Sequence, residues 1–408
     1  MNKETKSINT VCRPVEFGLR VIGVWPNTSY AILRRVFCIC SVAVFQTFQY
    51  RHIILHFGEE DLLLLMDVLS ATLAYSLLLI KLIIFAFNTR VLSKIIANII
   101  KDWKECDVCD ECTMTRMAYI SRRFSNFIIA LYAISVFLYA TGTLMKYKSN
   151  NQTDTRELIL KMELPFEIKS TSVHIVILIT QFVHQTSAAS MVGVINSLLI
   201  TSVLHVCGQI DIVTQKLSEI RRKDIERDMN RNIGVKMLIV RHQNIISFSK
   251  NIEALFSNIA LLQFVSNTLV ICCLGFVIVI SIGRPGGSSM LIKSVFFYIV
   301  MSMEAFIFCF LGEYLSTKVS ICDVKYIRYK KVKFFYYIFQ SQKIGDAVYE
   351  SLWYELNTNQ NQDILIMIVR SQKHLKLTIG KVADLSLKQF ASIVKASASY
   401  VSVLHAMY

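Results

Sequence analysis

Proline and glycine are scarce in this sequence, with 4 and 14 residues among 408, and charged residues make up only 18%. The shortage of turn-forming residues argues against a collagen-like chain, a disordered linker and a turn-rich β-fold. The sequence also lacks the GxSxG, P-loop, HExxH and GxGxxG motifs that mark common catalytic and cofactor sites. We therefore predict that the protein is not an enzyme and that it uses no cofactor.

Apolar residues are abundant instead: they make up 54% of the chain, whose mean hydropathy is +0.47. A soluble domain carries about 25% charged residues, so lipid is the natural surrounding for this excess of apolar side chains. About 20 apolar residues cross a bilayer core. The sequence contains six clear runs of this kind: Val36–Ile54, Leu62–Phe87, Phe124–Met145, Val173–Val203, Leu255–Ile282 and Met290–Leu311. A seventh run, Leu385–Met407, is weaker and richer in serine. We predict an all-α membrane protein with seven transmembrane helices.

The net charge of +15 would suggest a nucleic-acid partner in a soluble protein, but here the basic residues lie between the apolar runs. Segments 88–123, 204–250 and 312–384 are strongly basic, whereas 55–61 contains no Lys or Arg. Basic loops face the cytoplasm and its anionic lipid. We therefore predict no nucleic-acid partner, a cytoplasmic N-terminus and an extracellular C-terminus, the reverse of a G-protein-coupled receptor. The sequon at Asn151 lies in a loop predicted to be extracellular and is a candidate glycosylation site.

Polar residues inside the spans are costly in lipid and therefore informative. Three of them share one face of the fourth span: Gln181, His184 and Gln185. They are compatible with hydrogen bonds between helices or with the wall of a ligand cavity. In the second span, we expect Asp67 to lie at a solvated outer end and Lys81 to extend towards the cytoplasmic interface.

Helical periodicity continues beyond the fourth span. Ile210, Val213, Leu217 and Ile220 recur at helical spacing within Gln209–Lys250. We therefore predict that the fourth and fifth spans extend as helices into the cytoplasm.

The last span combines small, polar and apolar residues on one face: Ser392, Ala396, Ser399, Val403 and Met407. A face that is polar at first and apolar towards its end suits a water-filled pore closed by a hydrophobic constriction. Periodicity alone favours the alternative, a packed interface of small residues.

Cysteine spacing suggests one metal motif, because Cys106, Cys109 and Cys112 form CxxCxxC. Three thiolates could ligate zinc, but no fourth ligand stands at the usual spacing. We predict reduced cysteines and no metal site.

Four segments resemble insect odorant receptors, and the first of them resembles members from ants: NSLLITSVLHVCGQIDIVTQKL (196–217), FCFLGEYLSTK (308–318), GDAVYESLWYEL (345–356) and IVRSQKHLKLTIGKVADLSLKQFASIVKASASYVSVLHAMY (368–408). The resemblance implies an odorant-binding subunit of an odorant-gated, non-selective cation channel. It implies a heterotetramer with a shared co-receptor subunit, in the plasma membrane of olfactory neuron dendrites. Residues 1–384 would form the receptor domain, with its odorant pocket and cytoplasmic anchor helices, and residues 385–408 the pore-lining helix.

The same resemblance assigns roles to individual residues. Val403 would form the hydrophobic gate, with Met407 one turn beyond it. Ser399-Tyr400 is not followed by the QF of the related gustatory receptors, which favours the odorant branch. The pocket, for a volatile or lipid-like odorant, would draw on Met66, Leu69, Leu73, Phe137, Leu138, Ile177, Gln181, Phe296, Phe297 and Val300. Alternative functions are a metabotropic seven-helix chemoreceptor, a gustatory-type receptor and a transporter.

Residues 319–340 interrupt the resemblance, since insect odorant receptors run almost directly from STK to SQK. The insert opens with Val-Ser, which a splice-donor sequence would encode, and closes with Tyr-Tyr-Ile-Phe-Gln, which a splice-acceptor sequence would encode. We predict that it is a translated, unspliced intron. The alternative is a basic loop that binds anionic lipid.

Overall fold

A computed structural model describes residues 11–26, 28–58, 61–149, 158–168, 170–222, 228–282, 287–316, 365–366, 369–370 and 375–407. Its helices are α1 (Arg13–Ile22), α2 (Ala31–Leu55), α3 (Leu62–Phe87), α4 (Thr89–Lys104), α5 (Val108–Ser149), α6 (Thr171–Arg222), α7 (Asp228–Ser281), α8 (Ser288–Ser316) and α9 (Leu387–Met407). Strands β1 (Thr378–Ile379) and β2 (Ala383–Asp384) form an antiparallel pair, with Thr378 opposite Asp384.

Among the residues that the structure describes, six helices are long and apolar enough to cross a bilayer. They are α2, α3 and the parts of four longer helices at Asp110–Thr141, Thr171–Leu217, Lys236–Ser281 and Met290–Leu315. These six overlap the six clear apolar runs of the sequence, and α3 has the bounds that hydropathy alone predicts. The protein is therefore a multi-pass, largely helical membrane protein. The seventh predicted span corresponds to α9, a helix of 21 residues.

Helices α6 and α7 are much longer than a bilayer requires, with 52 and 54 residues. The prediction that the fourth and fifth spans continue as helices is thus confirmed. Helix α4 was missed, because it lies in a basic segment that hydropathy assigns to a loop. Its buried face repeats at helical spacing: Leu92, Ile95, Ile96 and Ile99.

Helix α6 is the axis of the main core. Its residues Leu198, Val203, Ile210 and Val213 are completely buried. Helix α5 packs along α6, α3 packs along α7, and α9 lies against α7 and α8. Because α6 is covered along most of its length, a single large core runs from one end of the bundle to the other.

Strands β1 and β2 form a C-terminal hairpin, and Leu385, the residue that follows it, packs against Gly312 of α8. A Cβ at Gly312 would lie 2.2 Å from the Cβ of Leu385 and 2.6 Å from its carbonyl oxygen. Only glycine therefore lets the residues just before α9 approach α8 this closely. The β-hairpin is held on α7 as well, since the Gly380 N–H donates to the Ser257 carbonyl at 3.0 Å.

Candidate functional site

A cavity of about 100 Å³ lies among α3, α5, α6 and α8, beneath the segment 158–168 that precedes α6. Most of its wall is aliphatic or aromatic. The apolar lining includes Ala74 and Leu78 of α3, Val136 and Tyr139 of α5, Ala188 and Val192 of α6, Phe297 and Val300 of α8, and Leu160 from the covering segment. This composition is typical of a site for a small apolar ligand.

One end of the cavity is charged. Lys81 Nζ lies 2.7 Å from Glu304 Oε1, and the two side chains are only 1% and 3% exposed. Asn196 donates from Nδ2 to Glu304 at 2.9 Å and to the Tyr132 hydroxyl at 3.0 Å. Charges within a membrane protein need such partners. Since Lys81, Glu304 and Tyr132 all line the cavity, they can bind one polar group of a ligand.

Gln181 anchors the covering segment. Its side-chain amide accepts from the Leu160 N–H at 3.2 Å and donates to the Leu160 carbonyl at 3.0 Å. Leu160 therefore reaches the cavity wall in a position that α6 determines. Gln181 itself is not among the described residues that line the cavity.

The other polar residues on this face of α6 divide between packing and the cavity. His184 stacks on Phe45, with ring centroids 3.5 Å apart and planes at 3°, and lies 5.7 Å from Tyr75. Tyr75 and Gln185 line the cavity. The cavity interpretation thus holds for Gln185, whereas Gln181 bonds to a segment outside the helices and His184 stacks on an aromatic ring.

Two expectations for α3 were wrong. Lys81 does not extend to an interface, because it is buried against Glu304. Asp67 does not lie at a solvated end: it is 5% exposed and lies 2.5 Å from Lys293 Nζ of α8. Both partners belong to α8, which is more than 200 residues away in the sequence, so local periodicity could not reveal them.

Of the predicted pocket residues, Phe297 and Val300 line the cavity. Met66 and Leu73 pack against neighbouring apolar clusters, while Phe137 and Phe296 are 60% and 36% exposed. The remaining predicted residues are half-buried positions of the cavity helices that do not line the cavity as described: Leu69, Leu138 and Ile177. Four lining residues were not predicted from the sequence: Tyr75, Tyr132, Tyr139 and Glu304. The signal for Glu304 was a carboxylate inside an apolar run.

The predicted pore face of α9 is largely uncovered within the single chain. Ser392, Ser399 and Val403 are exposed and Ala396 is half-buried. A neighbouring face of α9 packs on α7, where Ser397 Oγ donates to the Thr268 carbonyl at 3.5 Å. The Met407 side chain, Tyr408, Asn151 and the segment 319–340 lie outside the described residues.

Within the CxxCxxC motif, Cys106 has little thiolate character. Burial, reinforced by the carboxylates of Asp110, Glu111 and Asp107 and only partly offset by Arg241, raises the pKa of Cys106 to about 11. Metals bind the thiolate rather than the thiol. Cys112 is exposed, and the Cys109 side chain is outside the described part of the chain.

A different set of possible metal ligands comes together at the end of α2. The ligand atoms of His52, His56 and Glu163 all lie within 4.8 Å of one another. The first two residues are four positions apart in the sequence, but the third lies more than 100 residues later, and the sequence analysis did not identify the group.

Comparison with known proteins identifies the family. The profile described as 7tm Odorant receptor matches residues 61–321 and 336–398. The chain belongs to this odorant receptor family. The prediction made from the C-terminal motifs is confirmed, and the family is one of receptors rather than enzymes.

Individual odorant receptors are similar at low identity. Odorant receptor 13a of Drosophila melanogaster is 22% identical over 426 residues, covering 96% of this chain and 94% of that protein. Odorant receptor Or2 of Anopheles gambiae is 23% identical, covering 59% of each chain, and Odorant receptor 10 of Aedes albopictus is 25% identical over 41% of its own length. The match to these last two thus spans less than two thirds of either relative.

The odorant receptor fold is shared with a solved structure. The insect olfactory receptor OR5 from Machilis hrabei in complex with eugenol superposes with a TM-score of 0.74 at 12% identity, covering 97% of both chains. The same receptor described without eugenol gives a TM-score of 0.70. The common fold thus extends over almost the whole chain.

Proposed function

We propose that this odorant receptor is the odorant-binding subunit of a heteromeric, odorant-gated, non-selective cation channel in the plasma membrane of olfactory neuron dendrites. The observation that carries the proposal is the cavity, which is apolar over most of its wall and charged at one end. A solved relative of the same fold is described in complex with eugenol, which supports a small-molecule ligand here.

The ligand is a volatile or lipid-like molecule with a single hydrogen-bonding group. Its apolar body would contact Phe297, Val300 and Tyr139, and its polar group would face Glu304 and Tyr132. Burial of the apolar body provides most of the binding free energy, while the fixed polar groups orient the molecule. The segment that contains Leu160 would close over it.

The test compares two adjacent phenylalanines of α8. Phe297 lines the cavity, whereas Phe296 is 36% exposed and lies outside the wall. The chain is expressed with a co-receptor, and currents are recorded across an odorant panel. Phe297→Ala should change the order of odorant potencies, and Phe296→Ala should preserve it. Equal effects of the two substitutions, or unchanged curves for Phe297→Ala, would place the odorant elsewhere.

The membrane topology follows from the positive charges. The proposed chain has seven transmembrane helices, with α9 as the last, a cytoplasmic N-terminus and an extracellular Tyr408. It carries a glycan at Asn151 if the sequon is used. A tag after Tyr408 should be stained in intact cells. Staining that requires permeabilisation would contradict the topology and favour the alternative of a metabotropic seven-helix receptor.

We also propose that residues 319–340 are a translated, unspliced intron. The interruption of the family match between residues 321 and 336 supports this. Sequencing of antennal transcripts decides it: mature messages should lack these codons, and their uniform presence would identify a genuine basic loop instead. Deleting the segment should improve surface expression and current, because it lies beside the proposed cytoplasmic anchor.

A further inference from the structure

His52 lies in the last turn of α2, and His56 is the C-cap residue four positions later, whose N–H donates to the His52 carbonyl, so the two side chains are neighbours. Glu163 comes from the segment 158–168, and its N–H donates to the Phe48 carbonyl of α2 at 3.1 Å. That backbone bond holds the segment beside the helix, one turn before His52. The three possible ligand atoms are consequently within 4.8 Å of one another.

Two imidazoles and one carboxylate are a ligand set that binds zinc and leaves a coordination position open. Histidines at i and i+4 on a helix recur in such sites, because that spacing directs both rings to one ion. Zinc bonds of about 2.0–2.2 Å bring tetrahedral ligand atoms to about 3.4 Å from one another. Small side-chain rotations can close the difference from 4.8 Å. The imidazoles favour a transition metal over Ca²⁺ or Mg²⁺.

The tautomer that His56 adopts is suited to a metal ligand. Its Nδ1 lies 3.1 Å from the His52 carbonyl oxygen. A carbonyl only accepts, so Nδ1 carries the proton and Nε2 keeps a lone pair for an ion. A hydrogen bond from the second ring nitrogen to a backbone carbonyl is the usual support for a metal-bound histidine.

The surroundings also favour a cation. The C-terminal end of a helix carries partial negative charge from its unpaired carbonyls, and α2 ends beside this group at Leu55. His56 and Glu163 are half-buried rather than enclosed, so an ion can enter from solvent. In the proposed topology that solvent is extracellular.

We propose that His52, His56 and Glu163 form a binding site for Zn²⁺ or a similar transition-metal ion, which links α2 to the segment that covers the odorant cavity. Glu163 is three residues from Leu160, whose side chain lines the cavity and whose backbone Gln181 holds. A bound ion restrains this segment in its closed position. Extracellular zinc therefore changes the odorant response. The binding site stands on geometry alone, whereas its effect on currents rests on the proposed function.

The binding test uses the full-length chain purified in detergent, titrated with Zn²⁺ against a chromophoric chelator. We expect one additional zinc per chain compared with His56→Gln and Glu163→Gln. Because losing an outer-shell partner alone lowers metal affinity about 10- to 100-fold, losing a ligand should lower it at least about 100-fold. Glu167→Gln is the matched control, since it removes the same charge from an exposed position of the same segment and should leave zinc affinity unchanged.

Thermal unfolding of the same samples provides a second measurement. Zn²⁺ should raise the unfolding temperature of the unsubstituted chain and of Glu167→Gln, because a ligand that binds only the folded state stabilises it. It should not do so in Glu163→Gln, a substitution that preserves side-chain volume. Equal zinc affinity and equal stabilisation in all variants would overturn the site.

The regulatory effect is tested by recording odorant dose–response curves with and without Zn²⁺ in the bath. Zinc should shift the curve of the unsubstituted receptor, and the shift should disappear in His56→Gln. Zinc bound without any shift would overturn the coupling to the cavity. A channel that does not respond to any odorant would contradict the proposed function while leaving the binding result intact.

Discussion

Lys81 and Glu304 are the kind of residues that a transmembrane helix normally excludes, and the structure retains them as a pair at 2.7 Å. Bulk water cannot solvate either side chain, because both are almost completely buried. Asn196 extends the network, because its Nδ2 donates both to Glu304 and to the Tyr132 hydroxyl. Single residues thus determine the chemistry of the cavity, although most of its surface is apolar.

The pair makes a prediction about stability. Lys81→Met leaves Glu304 as an uncompensated buried charge, and breaking such a pair costs about 3–5 kcal/mol. Surface expression and the unfolding temperature in detergent should therefore fall. The double variant Lys81→Met/Glu304→Leu removes both charges and should recover much of the stability. A double variant that is less stable than the single one would show that the two residues do not act as a pair.

At the scale of elements, the docking of the C-terminal hairpin on α8 decides where α9 begins. Gly312 has no side chain, and the backbone of Leu385 occupies the space that a Cβ would need. The Glu313 carboxylate accepts from the Leu387 N–H at 3.3 Å, at the first residue of α9. The position of α9 therefore depends on two consecutive residues of α8.

Gly312→Ala tests this contact. The added methyl group would lie within 3 Å of Leu385 backbone atoms, and such overpacking costs about 1–3 kcal/mol. Gly193→Ala is the control, because its Cβ would meet its nearest neighbour, Tyr132, at an ordinary 3.4 Å. Thermal unfolding should distinguish the two variants, with a lower transition only for Gly312→Ala. Equal transitions would mean that the hairpin does not pack on α8 as described.

At the scale of the whole molecule, α9 is incompletely covered by its own chain. Val403 is 56% exposed and Ser399 on the same face is exposed, while Ile393 and Ser397 on a neighbouring face are buried. A helix with one packed side and one open side is suited to assembly around a common axis, as the proposed channel requires. The pore itself would thus belong to the complex and not to any single subunit.

The pore predicts a specific effect of Val403→Ser. If Val403 narrows a pore that closes by dewetting, a hydroxyl there should raise the current without odorant or change ion selectivity. Val394→Ser is the control: it makes the same substitution about two and a half turns earlier, on the opposite face of α9, at a position 38% exposed. Currents recorded with the co-receptor should change in Val403→Ser and stay unchanged in Val394→Ser. Unchanged conduction in both variants would remove Val403 from the pore.

The sequence by itself determined the membrane-spanning elements and the family. Leu62–Phe87 was predicted with the bounds that the structure has, and the C-terminal motifs identified the odorant receptors that the family match confirms. Both inferences rest on local properties, the length of an apolar run and the identity of neighbouring residues. Helix α4 was not predicted, because its charged residues lower the hydropathy averaged over the segment and so conceal its apolar face.

Only the tertiary structure decided which side chains meet. Phe297 reaches the cavity and Phe296 does not, although both are phenylalanines in the same apolar run. Lys81 and Glu304 are 223 residues apart, and Glu163 joins His52 and His56 from a different segment. Hydropathy specifies that a helix lies in the membrane but not its rotation about its own axis. That rotation is selected by the packing of all the helices together, so the residues of the site become defined only when the bundle is complete.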